Sequence, residues 1–314
     1  MTRPLCGVGD AVRPQPTSHP LGQGFESPVR LATGDSPREE GVPVAELKRP
    51  GAALHFIESG PRNAPVVVLG HGLFFTGSLF HHQLDALEQQ FRCVSFDWRG
   101  HGLTSARGPF AMNDLVDDLE ALLSTINRPV HYVGHGLGGS AALPLAARRG
   151  ELFRSLTLLG ASANAEDPDD AYWYLRLANR YRRLGGWAVR PKLRQALFCE
   201  TSLRGGQVRR EVDHWAEEFG QSSRAELRHA IRAFANRRGT QPEAHSLRVP
   251  TQLIVGEDDA VNPPYRSRRL EELISGAEVH TVEGAGHAVP LESPQTVTHL
   301  VRSFVERVEH LPRH

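Results

Sequence analysis

Three positions far apart along the chain have the types and the order of a hydrolytic catalytic site. The segment VGHGLGG matches G-x-Nu-x-G at Gly134, Gly136 and Gly138, a strained turn whose central residue is normally a nucleophile. Asp259 follows in VGEDDAVNP and His287 in EGAGHAVP, so the chain order is nucleophile position, acid, histidine. A histidine oriented by a carboxylate can act as a general base. The unusual feature is that Gly136 offers no attacking atom.

The same segment also matches G-x-G-x-x-G, the phosphate-binding fingerprint of dinucleotide-binding proteins. That fingerprint requires an acidic residue near the end of the next strand, about 20 residues on. The next predicted strand, SLTLLGAS, ends without one, and the nearest acids, Glu151 and Glu166, lie before and well beyond it. We therefore expect no dinucleotide and no other cofactor.

Most of the remaining catalytic apparatus needs no side chain at residue 136. Glycine accepts positive φ at little steric cost, so the turn should keep its shape. The predicted oxyanion hole consists of the backbone N–H groups of Leu73, which follows the turn at His71 in LGHGLFF, and Leu137. Ser140 lies a full helical turn beyond Gly136, and we expect it to pack or cap. A covalent intermediate at residue 136 is excluded.

These residues must be positioned by an alternation of strands and helices. Apolar runs predict buried strands, and spacings of three and four predict amphipathic helices. The predicted strands are VPVAEL, ALHFIESG, PVVVLG, RCVSFD, PVHYVG, SLTLLGA, VPTQLIVGE and EVHTVEG. The predicted helices are SLFHHQLDALEQQF, MNDLVDDLEALLSTI, SAALPLAARR and TVTHLVRSFVERV, the last capped by Ser293 and Pro294. This order predicts an α/β fold with a mainly parallel central sheet flanked by helices.

Residues 163–245 interrupt the alternation with helical signals only. They are rich in aromatic and arginine residues, and residues 170–240 hold 15 basic against 7 acidic side chains. A small-molecule substrate is expected, and an anionic or acyl-carrier-bound one is an open alternative. The candidate substrate-binding residues are Phe74, His135, Tyr172, Trp173, Trp187 and Trp215.

Taken together, the motifs resemble the α/β-hydrolase superfamily in its capped esterase, epoxide-hydrolase and dehalogenase-like forms. The segment DWRGHGLTS is similar to the D-x-R-G-x-G-x-S loop of many members, with Thr104 in the usual Ser position. The resemblance implies an α/β-hydrolase core of residues 42–162 and 246–314 and an inserted helical cap of residues 163–245. Residues 1–41, rich in Pro, Gly and Ser, are interpreted as a disordered extension.

Composition narrows the function classes further. The 314 residues carry a formal net charge of zero, which gives no general attraction to nucleic acid or membrane, and no apolar run is long enough for a membrane span. Three widely spaced cysteines favour a reducing cytoplasm. Lys48 and Lys192 are the only lysines among 36 basic residues, a bias typical of high-GC bacterial genes. The composition does not indicate an oligomeric state.

Histidines next to glycines raise the question of a metal site. His71, His101 and His135 each stand in a Gly-His-Gly context or its equivalent, but they fall in three separate turns and are interpreted as structural. His81 and His82 are interpreted as helix surface. We therefore expect no bound metal.

Three hypotheses for the function remain open. The first is an enzyme that acts on a carbonyl compound from secondary metabolism, and that uses His287, Asp259 and the oxyanion hole as a hydrolase, cyclase or lyase without a covalent step. The second is an ordinary serine or aspartate hydrolase whose nucleophile has been replaced by Gly136. The third is a non-catalytic ligand-binding protein that keeps the pocket. Retention of the Asp–His pair favours the first two, because a binding pocket needs neither residue.

Overall fold

The computed structural model describes residues 44–312, and the predicted N-terminal extension of residues 1–41 lies outside them. The described chain forms one sheet of nine strands. The strands are β1 (Val44–Arg49), β2 (Ala52–Ser59), β3 (Val66–Gly70), β4 (Arg92–Phe96), β5 (Ser105–Ala106), β6 (Val130–His135), β7 (Phe153–Leu159), β8 (Thr251–Gly256) and β9 (Glu278–Val282).

The sheet is mixed, with a parallel body and an antiparallel edge. Its order is β1-β2-β4-β3-β6-β7-β8-β9, and β5 pairs with β2. All pairings from β4 to β9 along this order are parallel, whereas β1, β4 and β5 each run antiparallel to β2. The central strands are buried along their whole length, which explains their continuous apolar sequences.

Twelve α-helices lie among the described residues. Six belong to the alternating core: α1 (His81–Leu87), α2 (Met112–Ile126), α3 (Leu137–Arg148), α10 (Pro264–Leu273), α11 (Val289–Glu292) and α12 (Pro294–Glu309). Helix α2 packs beside α3, and α1 packs beside α12. The chain thus has the α/β-hydrolase fold, in which helices flank a mostly parallel sheet.

The other six helices form a continuous insertion between β7 and β8. They are α4 (Pro168–Leu184), α5 (Gly186–Leu197), α6 (Glu200–Arg204), α7 (Gln207–Gln221), α8 (Arg224–Ala235) and α9 (Gln241–Ser246). Their apolar faces join the main hydrophobic core through residues such as Tyr181, Trp215 and Ile231. Helices α4 and α8 pack against each other, as do α5 and α7.

The structure differs from the sequence prediction in several local features, among them helix α11 and a 3₁₀ turn (Gly150–Leu152) that the sequence does not indicate. The helix expected over residues 78–91 is divided, because a 3₁₀ turn (Gly77–Phe80) precedes α1. The hydroxyl of Thr76 accepts the N–H of Ser78 and caps that turn. Strand β5 and helix α10 had no predicted counterpart. The side chain of Ser293 makes no capping hydrogen bond, although Pro294 does begin α12.

Within residues 44–312, no helix is both long enough and apolar enough to cross a bilayer.

Candidate active site

His287 and Asp259 form a buried hydrogen-bonded pair beyond the carboxyl ends of β8 and β9. The Nδ1–H of His287 donates to Oδ2 of Asp259 over 2.9 Å. The other carboxylate oxygen, Oδ1, accepts the backbone N–H groups of Val261 and Asn262 over 2.9 and 2.7 Å. Asp259 is thus held from both sides. Because Nδ1 carries the proton, Nε2 of a neutral His287 presents a lone pair.

Gly136 occupies the turn between β6 and α3 and faces that imidazole. Its φ of +47° and ψ of −104° belong to a conformation that side-chain-bearing residues rarely adopt. A Cβ atom added at Gly136 would lie 3.3 Å from Nε2 of His287, its nearest neighbour. A side chain at this position would therefore point directly at the histidine.

Gly160, the residue directly after β7, allows Asp259 and His287 to lie close to the end of that strand. A Cβ atom at Gly160 would lie 3.0 Å from both Oδ2 of Asp259 and Nδ1 of His287. Gly160 also has a positive φ of +52°. Any side chain here would press on the Asp–His hydrogen bond, so this glycine is part of the site although sequence reasoning did not select it.

A cavity of about 290 Å³ opens beside Gly136 and His287. Leu73 and Leu137, the predicted oxyanion donors, both line it. Leu137 is the first residue of α3, so its N–H has no intrahelical acceptor. The wall is mainly apolar and includes Phe74, Phe75, Trp173, Tyr174, Leu193, Leu197 and Phe234.

Of the six predicted substrate-binding residues, Phe74 and Trp173 line this cavity, and the other four, His135, Tyr172, Trp187 and Trp215, do not. Tyr172 and Trp187 are 61% and 68% exposed, and their contact with a substrate stays a prediction. On α4 it is Tyr174 that turns inward, and Tyr172, two residues earlier, points to the outer face. Trp215 is buried behind the wall, where its Nε1–H donates to the carbonyl of Phe74.

His135, also a predicted binding residue, lies beneath the site. Its Nε2–H donates to the carbonyl oxygen of His287 over 2.7 Å. Burial, together with the nearby His287, lowers the pKa of His135 well below the ordinary value, so it stays neutral. His135 therefore positions the backbone of His287.

Charged residues at the cavity wall form ion pairs that sequence reasoning missed. The guanidinium of Arg237 pairs with Glu166, and the two side chains are only 7% and 5% exposed. Arg266 pairs with Asp167 over 3.0 Å and with Asp170 over 3.3 Å. Both arginines that line the cavity thus have carboxylate partners. The partners of each pair lie far apart in sequence, and no local signal indicates them.

The other two glycine-flanked histidines, His71 and His101, are buried and do not line the cavity. The Nδ1–H of His71 donates to the carbonyl of Gly72, and its Nε2 accepts the N–H of Trp98. His101 is buried, and burial lowers its pKa to about 4. In the D-x-R-G loop, the hydroxyl of Thr104 donates to the carbonyl of Asp97 over 2.7 Å. Thr104 thus supplies a hydroxyl group at this position of the loop, as a serine would.

His81 and His82 are predicted to lie on the exposed surface of a helix, but the structure places them in a contact with another helix. Both are partly buried and face Glu211 of α7, with Nε2–Oε distances of 3.5 and 3.2 Å. Sequence spacing gave no sign of this contact, because 129 residues separate His82 from Glu211.

The comparisons with known proteins agree with this architecture. A carbamate hydrolase, so named, from Rhizobium rhizogenes is 28% identical over 260 residues, which cover 77% of this chain and 93% of that protein. The 3-oxoadipate enol-lactonase 1 of Acinetobacter baylyi is 24% identical over 83% of this chain and 96% of its own length. The crystal structure of the enol-lactonase from Burkholderia xenovorans superposes with a TM-score of 0.78, at 25% identity, over 83% of this chain and all of that one. Residues 66–300 match the alpha/beta hydrolase family. With the fold, the Asp–His pair and the glycine turn in place, this chain belongs to that family.

Proposed function

We propose that the protein hydrolyses a small, uncharged ester- or lactone-like compound by general-base catalysis, with water as the nucleophile in place of a side chain. The observation that carries the proposal is the position of Gly136, where a Cβ atom would lie 3.3 Å from Nε2 of His287. Water does not occupy the Cβ position itself, which is one bond length from Cα of Gly136. It can stand further out, in the cavity that Gly136 and His287 both line, within hydrogen-bonding reach of a base whose other nitrogen is fixed by Asp259.

In the proposed reaction, His287 removes a proton from water while the water oxygen attacks the carbonyl carbon. The oxyanion that forms accepts the N–H groups of Leu73 and Leu137, which line the cavity at this point. The tetrahedral intermediate then breaks its bond to the leaving alkoxide. His287 returns the proton to that oxygen, so the site ends in its starting state and no bond to the protein forms.

The lining supports an uncharged substrate. Arg237 and Arg266 are already paired with carboxylates, and the rest of the wall is largely apolar. An anionic or carrier-bound substrate, the alternative expectation, would require one of these arginines to exchange its partner. The relatives named as a carbamate hydrolase and a 3-oxoadipate enol-lactonase support a carbonyl compound as the substrate, but their names do not bear on its lack of charge, which rests on the lining alone.

One observation favours a second candidate, an ordinary hydrolase whose nucleophile has been replaced. A Cβ atom at Gly136 would be aimed at His287, as a serine nucleophile requires, and would need the imidazole to move by a few tenths of an ångström. The third hypothesis, a binding protein, receives less support because Asp259 fixes the imidazole of His287 with Nε2 towards Gly136, an arrangement that a base needs and a binding pocket does not.

A panel of p-nitrophenyl esters and lactones separates these candidates. We expect steady turnover by the protein as it stands, with no burst of product, and a loss of about 10²–10⁴-fold in His287→Gln. Gly136→Ser should add a stoichiometric burst from an acyl-enzyme. If only Gly136→Ser turns over substrate, the replaced-nucleophile hydrolase is correct. Saturable ligand binding without turnover by either protein would identify a binding protein.

A further inference from the structure

A second cluster of chemically active side chains lies outside the cavity, where α1 meets α7. It consists of His81 and His82 at the start of α1 and Glu211 of α7. One ligand atom from each lies within 4.8 Å of the others. The side chains are 17%, 27% and 16% exposed, so the cluster is sheltered but open to ions.

In neutral His81, the lone pair of Nε2 faces a carboxylate oxygen of Glu211, and neither atom has a proton to donate. Nδ1 of His81 lies 3.0 Å from the carbonyl oxygen of Ser78, which can only accept, so Nδ1 carries the proton. In the neutral ring, Nε2 therefore presents its lone pair, and it does so 3.5 Å from the Oε2 atom of Glu211. A lone pair and a carboxylate oxygen attract each other only through a proton or a cation between them.

We propose that His81, His82 and Glu211 bind a divalent transition-metal ion, with Zn²⁺ the ion that best suits two imidazoles and one carboxylate. Nε2 of His81 lies 3.5 Å from Oε2 of Glu211, and Nε2 of His82 lies 3.2 Å from Oε1, so each imidazole faces one oxygen of the same carboxylate. Small shifts of these side chains would bring the ligand atoms to zinc bonds near about 2.0–2.1 Å. The bond from Nδ1 of His81 to Ser78 is the outer contact that orients a metal-binding histidine. Three protein ligands leave a fourth position for water.

The proposed site would fasten the helical insertion to the core. Glu211, Trp215 and Glu218 lie at i, i+4 and i+7 and thus share one face of α7. Trp215 donates to the carbonyl of Phe74, and Glu218 accepts the hydroxyl of Ser78 over 2.6 Å. A metal at Glu211 would add a third link along that face, next to the segment that carries Leu73.

Zinc affinity of the untagged protein, measured by competition with a chromophoric chelator, tests the site. We expect one Zn²⁺ per chain. His82→Ala and Glu211→Gln should weaken binding by at least about 100-fold, since even outer contacts contribute 10–100-fold. Glu211→Gln keeps an oxygen that can accept the N–H of His82, so it should fold. The matched control is His299→Ala, an exposed histidine of α12, which should bind zinc like the unaltered protein.

Thermal unfolding provides a second measurement that does not depend on enzymatic activity. A ligand bound only by the folded state stabilises it by an amount that grows with the logarithm of ligand concentration over Kd, and Tm rises accordingly. Excess Zn²⁺ should raise Tm by several degrees in the unaltered protein and in His299→Ala, and should have no such effect in the two ligand variants. Absence of one-to-one zinc binding, or equally tight binding in both ligand variants, would overturn the proposal.

Discussion

The indole Nε1–H of Trp215 donates a hydrogen bond to the carbonyl oxygen of Phe74 over 2.9 Å. Trp215 belongs to α7 of the insertion, whereas Phe74 directly follows Leu73 in the core. The bond is buried, and the indole packs between Phe75, Phe198 and Phe219. The insertion therefore helps to fix the backbone that the proposed mechanism uses for its oxyanion hole.

Replacing Trp215 by Phe should lower the free energy of unfolding by about 1–3 kcal/mol, because the carbonyl of Phe74 loses its buried donor. Urea unfolding followed by circular dichroism measures the change. Trp187→Phe, at an exposed tryptophan of the same insertion, is the matched control and should stay within about 0.5 kcal/mol. Equal losses in the two variants would contradict a specific role for this hydrogen bond.

Asp259→Asn should reduce turnover by a factor on the order of 10⁴, the size of the effect that the same change has in a serine protease triad. The amide oxygen can still accept the N–H groups of Val261 and Asn262, so the amide nitrogen must face His287. That arrangement forces the proton onto Nε2 and removes the base. The measurement is kcat on the best ester of the panel, with Tm as the check on folding. Undiminished turnover in a folded Asp259→Asn protein would exclude a general-base role for His287.

Glu166→Ala should destabilise the fold by about 3–5 kcal/mol, because it leaves the buried guanidinium of Arg237 without its partner. Replacing both residues, with Arg237→Leu as the second change, should restore much of this loss. Glu200→Ala breaks an exposed pair with Arg204 and serves as the control, with an expected change within about 0.5 kcal/mol. Denaturant unfolding of the four proteins supplies the values. If the free energy of unfolding falls no more in Glu166→Ala than in the control, the guanidinium of Arg237 is stabilised by water or by another group, and the ion pair is not required.

The protein should lose stability as the pH falls from 6.5 towards 5. Burial is the main cause that lowers the pKa of His101 and of His131 from 6.5 to about 4 in the folded state. Between these values the unfolded chain binds protons that the folded chain does not, so each histidine lowers the free energy of unfolding by up to about 1.4 kcal/mol per pH unit. Full stability from this source is present above pH 6.5.

Urea unfolding at pH 7.5, 6.0 and 5.0 measures this dependence, and His131→Gln tests its origin. The variant should show a shallower slope by about one proton, whatever its absolute stability. His131 is held by Ser155 over 2.8 Å and by Glu309, so its ring is enclosed on both sides. A slope identical to that of the unaltered protein would show that His131 does not take up its proton only on unfolding.

The sequence could predict the elements that position the site, because their signals are local. Helix α2 runs from Met112 to Ile126 as its apolar spacing indicates, and the strands around β3 show continuous apolar runs. Gly136, Asp259 and His287 could be selected together because each follows the end of a strand in one parallel sheet. Their convergence is then a consequence of topology.

The contacts of the insertion could not be predicted, because they depend on how amphipathic helices meet across long stretches of chain. Tyr172 and Tyr174 are both aromatic and two residues apart on α4, yet one is exposed and the other buried. The ion pair between Glu166 and Arg237 spans 71 residues. Spacing along one helix does not reveal which face another helix will cover.

The four glycines of VGHGLGG differ in what a mutation could do there. Added Cβ atoms at Gly134, Gly138 and Gly139 would lie 2.7 Å or less from Tyr132, the backbone of Gly70 and Ala161, respectively, whereas a Cβ atom at Gly136 would make one tight contact of 3.3 Å, with Nε2 of His287. Residue 136 is therefore the position of this turn where an added Cβ atom would be tight only against the imidazole of His287, although the left-handed backbone at φ +47° strains any residue other than glycine there. Glycine codons that end in a pyrimidine are one base change from codons for serine or aspartate, so a nucleophile could enter this scaffold at a single position.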